Sequence, residues 1–375
     1  MLAQRPPMGW NTWNTFGHHI DEKLIMESAD AMVALGYQAA GYEYVIIDDC
    51  WSLKQRGADG RLVPDPAKFP HGMKYLADYV HAKGLKFGMY SCAGVMTCAG
   101  YPSSYGHEFV DAATFAEWGV DYLKYDFCNF PETADCRQAY TTMSMALRST
   151  GREILFAACN WGMEEPWKWM RAIGAHTYRS TGDIQDNYVS MRDIAESQVN
   201  NLAYNAAFCF NDMDMLTVGM YGKGLVGGET PAADAEYRSE FVRWCLCGVP
   251  LIMGGDIRSL NDFCRSLLLN PDLIAINQDI ECRPPYPLWD CSDGPGFMRI
   301  MSDGSIIFAL FNHTDRKADN TVLLHNVGLP AYSGKALRLK DVLSGEELGE
   351  YRDWFTVAVE SHDCRLLRAV IVDAK

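Results

Sequence analysis

The run Tyr122-Leu-Lys-Tyr-Asp126 sets a cation and a carboxylate two residues apart, just after the helix-stopping Gly119. A strand alternates its faces, so Lys124 and Asp126 share one face, and Leu123 and Tyr125 the other. A neighbouring cation favours the ionised carboxylate, which fits Asp126 as a nucleophile. The alternative is an ion pair that caps a strand end. Other acids stand where apolar runs give way to loops: Asp48-Asp49 before Cys50-Trp51, Asp183 in Arg179-Ser-Thr-Gly-Asp183, Asp212-Met-Asp214, and Asp256. Trp13, Tyr90, Asn160 and Trp161 lie at similar junctions. Cleaving a glycosidic bond needs two acids: one attacks or activates water, and the other protonates the leaving oxygen. Asp183, in the looser loop, suits the second role. Acids, Lys and Arg hydrogen-bond hydroxyls, and aromatic faces pack on sugar C–H groups. A phosphorylated substrate would call for a glycine-rich, basic site instead.

Each of these residues also has a structural reading. Trp13, Trp51 and Trp161 could be core, given how much area aromatic rings bury. Asp212 and Asp214 could cap a helix. Asp256 suits a turn after Gly254-Gly255 and is left out of the catalytic set. Asp186 and Asn187 read as solvated loop. Cys50 and Cys92 read as buried thiols, with no histidine in a matching motif to activate them.

The elements that must position these side chains repeat one unit. Strand-like runs at 8–11, 44–47, 85–90, 122–126, 154–157, 176–179, 207–210 and 251–253 alternate with helical runs. The helices are expected at 22–35, 75–83, 109–118, 137–148, 167–173, 190–200, 233–247 and 260–269, several ending in glycine. Strands separated by helices imply a parallel sheet, because parallel neighbours need crossovers. Eight such units are the count of a closed (β/α)8 TIM barrel, whose active site lies at the C-terminal strand ends. A doubly wound open sheet would carry a glycine-rich phosphate turn after its first strand. Here that turn is Asn11-Thr-Trp-Asn14. Beyond Glu281, Arg283-Pro-Pro-Tyr-Pro287 is a stiff linker. Alternating runs and turns at Asp303-Gly304 and Ser344-Gly345 follow, and read as a C-terminal antiparallel β-sandwich. The expected domains are 1–285 and 286–375.

The chain has 375 residues, 48% of them hydrophobic, enough to bury a full core. A net charge of -15 argues against a nucleic-acid partner, whose phosphates demand a basic face. No apolar run is long enough to span a bilayer. Met1 to Pro7 lacks the basic and apolar regions of a secretory signal, which points to a cytoplasmic enzyme, with a secreted mature form as the alternative. The 13 cysteines form no C-x-x-C repeats, and the nine histidines form no H-x-H or H-E-x-x-H pattern. No metal and no cofactor are therefore expected.

Eight segments, taken in order, carry a resemblance. They are Met8-Gly-Trp-Asn-Thr-Trp-Asn14, Ile47-Asp-Asp-Cys-Trp51, Gly88-Met-Tyr-Ser91, Thr97-Cys-Ala-Gly-Tyr-Pro102, Tyr122-Leu-Lys-Tyr-Asp-Phe-Cys128, Cys159-Asn-Trp-Gly162, Arg179-Ser-Thr-Gly-Asp-Ile184 and Asn211-Asp-Met-Asp-Met-Leu216. Together they resemble glycoside hydrolase family 27, the α-galactosidase and α-N-acetylgalactosaminidase family. The resemblance implies a barrel followed by an antiparallel β domain, and a retaining double displacement. Under it Asp126 falls on the nucleophile and Asp183 on the acid/base. Asp48 and Asp49 fall on the carboxylates that hold the galactose 4- and 6-hydroxyls. Lys124 falls on a contact to the 3- and 4-hydroxyls, and Arg179 on one near the 2-hydroxyl. Trp13 falls on the sugar-stacking wall. Tyr90, Cys98, Cys159, Trp161, Asp214 and Met215 complete the substrate-binding set. Cys98 and Cys128 fall on a pair disulfide-bonded in secreted relatives. In a reducing cytosol that bond is expected to be weak or absent, leaving only proximity.

Some positions depart from the family pattern. Met213 stands where many relatives carry Pro, and Phe210 where many carry Trp. Asn160 stands where several α-galactosidases carry Glu and the acetylgalactosaminidases a smaller residue, so the group accepted at sugar C2 stays open. The intact Asp48-Asp49 pair favours galactose over arabinopyranose. The expectation is an exo-acting α-galactosidase with a small-molecule galactoside or oligosaccharide as partner, the oligomeric state being open and a homo-oligomer among the options. An α-N-acetylgalactosaminidase, a β-L-arabinopyranosidase, a non-catalytic sugar-binding barrel and a metal-dependent barrel hydrolase are the alternatives.

Overall fold

Eight short strands form one parallel sheet: β1 (Met8–Asn11), β2 (Tyr44–Ile46), β3 (Lys86–Cys92), β4 (Tyr122–Asp126), β5 (Leu155–Cys159), β6 (Thr177–Arg179), β7 (Phe210–Asp212) and β8 (Leu251–Met253). Their order is β7-β6-β5-β4-β3-β2-β1-β8. The ring closes where the chain leaving β7 meets β8. Leu216 N–H donates to the Ile252 carbonyl at 2.8 Å, and Gly254 N–H to the Leu216 carbonyl at 2.9 Å. This closure excludes the open doubly wound sheet. The structure, a computed structural model, describes residues 1–288, 291 and 294–374. Trp289, Asp290, Ser292, Asp293 and Lys375, inside the C-terminal domain as bounded from the sequence, lie outside the described residues.

The helices are α1 (Trp13–Phe16), α2 (Glu22–Ala34), α3 (Gly72–Ala82), α4 (Glu108–Trp118), α5 (Cys136–Ser149), α6 (Met170–Ile173), α7 (Tyr188–Ser197), α8 (Asp234–Cys247), α9 (Asp262–Leu268) and α10 (Pro271–Asn277). Local chemistry sets their ends. The Asp21 side chain accepts from Leu24 N–H to start α2. Gly119, at φ 84°, stops α4 in the left-handed region and aims the chain into β4. The expected strand at 207–210 is displaced to Phe210–Asp212. Ala206 to Cys209 instead form a tight turn with Phe208 at φ 72°. The expected helix at 167–173 is a 3-10 turn, Pro166–Lys168, followed by the short α6. Helix α10 has no counterpart in the sequence reading; Asn270 starts it by accepting from Asp272 and Leu273 N–H.

The C-terminal β-sandwich packs a six-stranded antiparallel sheet against a two-stranded one. The larger sheet contains β9 (Tyr286–Leu288), β10 (Gly296–Ile300), β11 (Ile306–Phe311), β13 (Lys335–Asp341), β14 (Glu347–Tyr351) and β16 (Cys364–Asp373). The smaller pairs β12 (Ala318–Leu323) with β15 (Trp354–Val359). Every residue of β11 is buried. Ile307, Ala309 and Phe311 belong to the barrel's core, whereas Ile306, Phe308 and Leu310 belong to the sandwich core with Val322, Leu337, Phe355 and Leu367. Period-two alternation thus serves two cores rather than a core and solvent.

Helix α8 is buried along most of its length because it lies between the two domains. Ser239 Oγ donates to the His362 carbonyl at 2.8 Å, and Arg299 Nη1 to the Leu246 carbonyl at 2.8 Å. The Arg243 guanidinium sits 3.8 Å from the Phe297 ring centroid. No helix among the described residues is long and apolar enough to cross a membrane.

Ile307→Ala removes a side chain of the second domain from the core of the first. It is expected to cost about 2–5 kcal/mol and to lower one shared unfolding transition. Denaturant titration followed separately by barrel and sandwich fluorescence checks this; two transitions, only one of them moved, would contradict it.

Candidate active site

The C-terminal strand ends converge on a cavity of about 290 Å³. Strand β4 contributes Lys124 and Asp126, whose shared face points into the cavity, while Leu123 and Tyr125 turn into the core. The loop after β2 contributes Asp48 and Asp49, β3 contributes Tyr90, and the turn after β1 contributes Trp13. Arg179 ends β6, Asp183 follows it, Asp214 and Met215 follow β7, and Cys98 comes from the β3–α4 loop. This volume is at the small end of small-molecule sites, room for one sugar ring rather than a chain.

Two expected members stand aside. Cys159 lies beneath the cavity, its sulfur 3.9 Å from Arg179 Nη1. Trp161 packs edge-on to Phe127, ring centroids 6.1 Å apart, and does not line the cavity. Asn160 is fully buried and turns its amide to the Met163 carbonyl. Four further residues line the cavity: Asn14, Gln185, Leu225 and Val226. Asn14 lies within a quoted motif and was legible. Leu225 and Val226 come from the glycine-rich stretch 222–228, which carries no pattern of its own.

The cations distribute differently from the simplest sequence reading. Lys124 Nζ binds Asp48 Oδ2 at 2.8 Å, and Asn11 Nδ2 donates to the same oxygen at 2.8 Å. Asp126 takes its direct hydrogen bonds from Tyr90 OH at 3.0 Å and Phe127 N–H at 2.9 Å. Burial pushes the Asp126 carboxyl above the ordinary range, and the charge of Lys124 opposes that shift. Burial likewise raises Asp49, against hydrogen bonds from Ala99 N–H at 3.0 Å and Cys50 N–H at 2.7 Å.

Arg179 Nη2 joins two carboxylates, Asp183 at 2.6 Å and Asp214 at 2.5 Å. Burial pushes Asp214 up to about 6, with Arg179 pulling the other way. Asp214 sits at φ 81°, a strained conformation for a residue with a side chain. It is held there by Trp244 Nε1, which donates to its carbonyl at 2.9 Å, and by Asp212, which accepts its N–H at 2.9 Å. Neither acid caps α8, whose N-cap is Ala233. Exposure separates the two proposed reacting acids: the Asp126 residue is 6% exposed, the Asp183 side chain 67%. The first is enclosed in the floor of the cavity, and the second stands at its rim, tied to Arg179.

Two further expectations need correction. Cys98 and Cys128 form a disulfide, with Cα atoms 5.0 Å apart. Their loops are zipped together by Asn129, whose Nδ2 donates to the Thr97 carbonyl at 3.0 Å and whose carbonyl accepts from Val95 N–H at 3.2 Å. Asp186 is not solvated loop but fully buried, and Asn187 caps α7 by accepting from Ser190 N–H at 2.9 Å. The alternative offered for Asp126, an ion pair with Lys124, does not form, because Lys124 pairs with Asp48; its charge still favours ionised Asp126. Trp51 is core, donating to the Tyr90 carbonyl at 3.0 Å. Asp256 is a turn residue paired with Arg258 at 2.9 Å. The Cys50 thiol is pushed up to about 11 by burial, and burial raises Cys92 further, which leaves both unreactive. Cys98, Asp126 and Cys128 form a cluster of metal-donor types among the described residues, but its two sulfurs are bonded to each other.

A closed (β/α)8 barrel whose mouth gathers carboxylates, two cations and aromatic rings around a cavity for one ring has the anatomy of a glycoside hydrolase. Residues 5–279 match the family model described as Alpha galactosidase A, and residues 297–369 the model described as Alpha galactosidase C-terminal beta sandwich domain. The chain is 46% identical to Alpha-galactosidase A of Cellvibrio japonicus over 389 aligned residues, covering 98% of this chain and 92% of the relative. It superposes on α-galactosidase I of Mortierella vinacea with TM-score 0.92 at 33% identity, covering 100% of this chain and 98% of the other. It superposes on the Saccharomyces cerevisiae α-galactosidase, solved with raffinose, with TM-score 0.91 at 27% identity, covering 99% and 98%. The chain belongs to the α-galactosidase A family, glycoside hydrolase family 27 as its motifs led one to expect.

Because the Lys124 charge favours ionised Asp126, Lys124→Met should raise the Asp126 carboxyl still further. A carboxyl ¹³C titration of Asp126 reads this directly: its midpoint moves to higher pH in the variant, and a lower or unchanged midpoint would contradict the electrostatic account.

Proposed function

We propose that this chain is a retaining exo-α-galactosidase acting on terminal α-linked galactose. One observation carries the reading: Asp126 and Asp183, from two different strand ends, line one cavity with the lysine-braced Asp48 and its neighbour Asp49. The cavity admits a single ring, which favours attack at chain ends. Carboxylates accept hydrogen bonds from sugar hydroxyls, so Asp48 and Asp49 hold the 4- and 6-hydroxyls. Lys124 donates to the 3- and 4-hydroxyls, and Arg179 serves the 2-hydroxyl. Trp13 supplies the face for the ring's C–H groups.

Buried and held by Tyr90 and its own turn, Asp126 attacks the anomeric carbon. Asp183 gives its proton to the departing oxygen, and a covalent galactosyl–enzyme ester forms. Asp183, now ionised, takes a proton from water, and that water opens the ester. Each displacement inverts the anomeric centre, so the product keeps the α configuration. Arg179 Nη2, 2.6 Å from Asp183, ties that side chain to the end of β6.

Asp126→Asn is expected to lower turnover of 4-nitrophenyl α-galactoside by about 10³-fold or more while galactose still binds. Proton NMR of the wild-type reaction should show α-galactose before mutarotation. Initial release of β-galactose would overturn the retaining route. Faster turnover of the α-N-acetylgalactosaminide or β-L-arabinopyranoside, assayed beside it, would reassign the substrate.

A further inference from the structure

Asp186 is fully buried, and both of its carboxylate oxygens are occupied. Oδ2 accepts from Gly222 N–H at 2.6 Å, and Oδ1 from Tyr237 OH at 2.7 Å. Its own N–H donates to the Val226 carbonyl at 2.8 Å. One residue therefore joins three elements: the β6–α7 loop on which it sits, the loop between β7 and α8, and α8 itself through Tyr237.

The first two of these elements form one side of the cavity. The β6–α7 loop carries Asp183 and Gln185, and the β7–α8 loop carries Leu225 and Val226. The second loop is closely folded: a Cβ on Gly227 would lie 2.1 Å from the Gly222 carbonyl oxygen. It is also tied across the mouth, since Leu225 N–H donates to the Asn14 carbonyl at 2.8 Å. Gln185 and Leu225 are exposed, so this side faces outward. Beside Asp183 it shows the cavity the uncharged side chains of Gln185, Leu225 and Val226, unlike the acid-rich floor. The group that protonates a leaving oxygen must stand beside the leaving group, so this is the side on which that group departs.

We propose that Asp186 is a positioning residue for the leaving-group side of the site, latching the acid/base loop to the loop that carries Leu225 and Val226. This rests on Asp183 being the acid/base. A loosened latch lets Asp183 wander from the leaving oxygen while Asp126, fixed on β4, still attacks. The cost then depends on how much the leaving group needs a proton. A sugar alkoxide needs one, whereas 4-nitrophenolate departs without it.

The test compares kcat/KM, which reports the first displacement, for an α-1,6-linked galactosyl disaccharide and 4-nitrophenyl α-galactoside. Asp186→Ala is expected to lose about 10²-fold on the disaccharide, the scale of a misplacement near 1 Å, and less than about 5-fold on the aryl substrate. Tyr237→Phe, which keeps the buried ring, should show the same selectivity at smaller size. Asp186→Asn, which retains one acceptor oxygen, should recover part of the disaccharide activity. Equal losses on both substrates, or none on either, in the variants that fold would overturn the latch. Asp183→Ala is the reference: if its losses do not depend on the leaving group, the acid/base assignment fails and the latch with it. Should Asp183→Ala be selective and the Asp186 and Tyr237 variants not, the latch alone fails.

Discussion

The active site depends on holding five carboxylates, Asp48, Asp49, Asp126, Asp183 and Asp214, around one small cavity with only Lys124 and Arg179 to offset them. Unpaired charge in a buried place is costly, and breaking one buried pair strands the other partner. The chain answers with assignment rather than neutrality. Lys124 goes to Asp48, and Arg179 to Asp214 and Asp183. Asp126 and Asp49 are left to hydrogen bonds from Tyr90, Phe127, Ala99 and Cys50. The surplus of acceptors has a chemical meaning. Such a site fits a neutral ligand rich in hydroxyl donors and repels anions, so the electrostatic arrangement is itself a filter for sugars over sugar phosphates.

Backbone geometry at the strand ends serves the same end. Cys50, Asn129, Trp161 and Asp214 all take positive φ just after barrel strands. Strain of this kind persists only where the surroundings over-determine it. At Asp214 the surroundings are the indole of α8 and the side chain of Asp212. Helix α8 is therefore more than a crossover. It grips the strained turn after β7 through Trp244, and Thr217 through Glu240 at 2.8 Å. A helix buried between two domains has little freedom to shift, and the rim it holds inherits that rigidity.

The fold was legible because the barrel units repeat a strong local signal: an apolar strand and a helix, in several units closed by a glycine. Strands β1, β4 and β8 lie at the residues the pattern indicates. The run 207–210 failed because a turn at Phe208 overrode its apolar character. The second half of the site was harder. Asp183 was readable from its motif, but Leu225 and Val226 sit in a glycine-rich loop whose shape is set by tertiary hydrogen bonds. Asp186 reads as polar loop because burial of a carboxylate depends on partners far along the chain, Gly222 and Tyr237. Cys98 and Cys128 were placed near each other by resemblance, but their bonding was expected from the compartment rather than from the two loops that hold them.

Strand β11, which gives alternate side chains to two different cores, bears on how such chains diversify. Recombination that exchanged the C-terminal module for an unrelated one would strip the barrel of Ile307, Ala309 and Phe311 and leave a dry gap against α8. Neither part is therefore a closed unit on this side. The seam is shared masonry: a change of volume on one side of β11 is felt by the hydrophobic interior on the other.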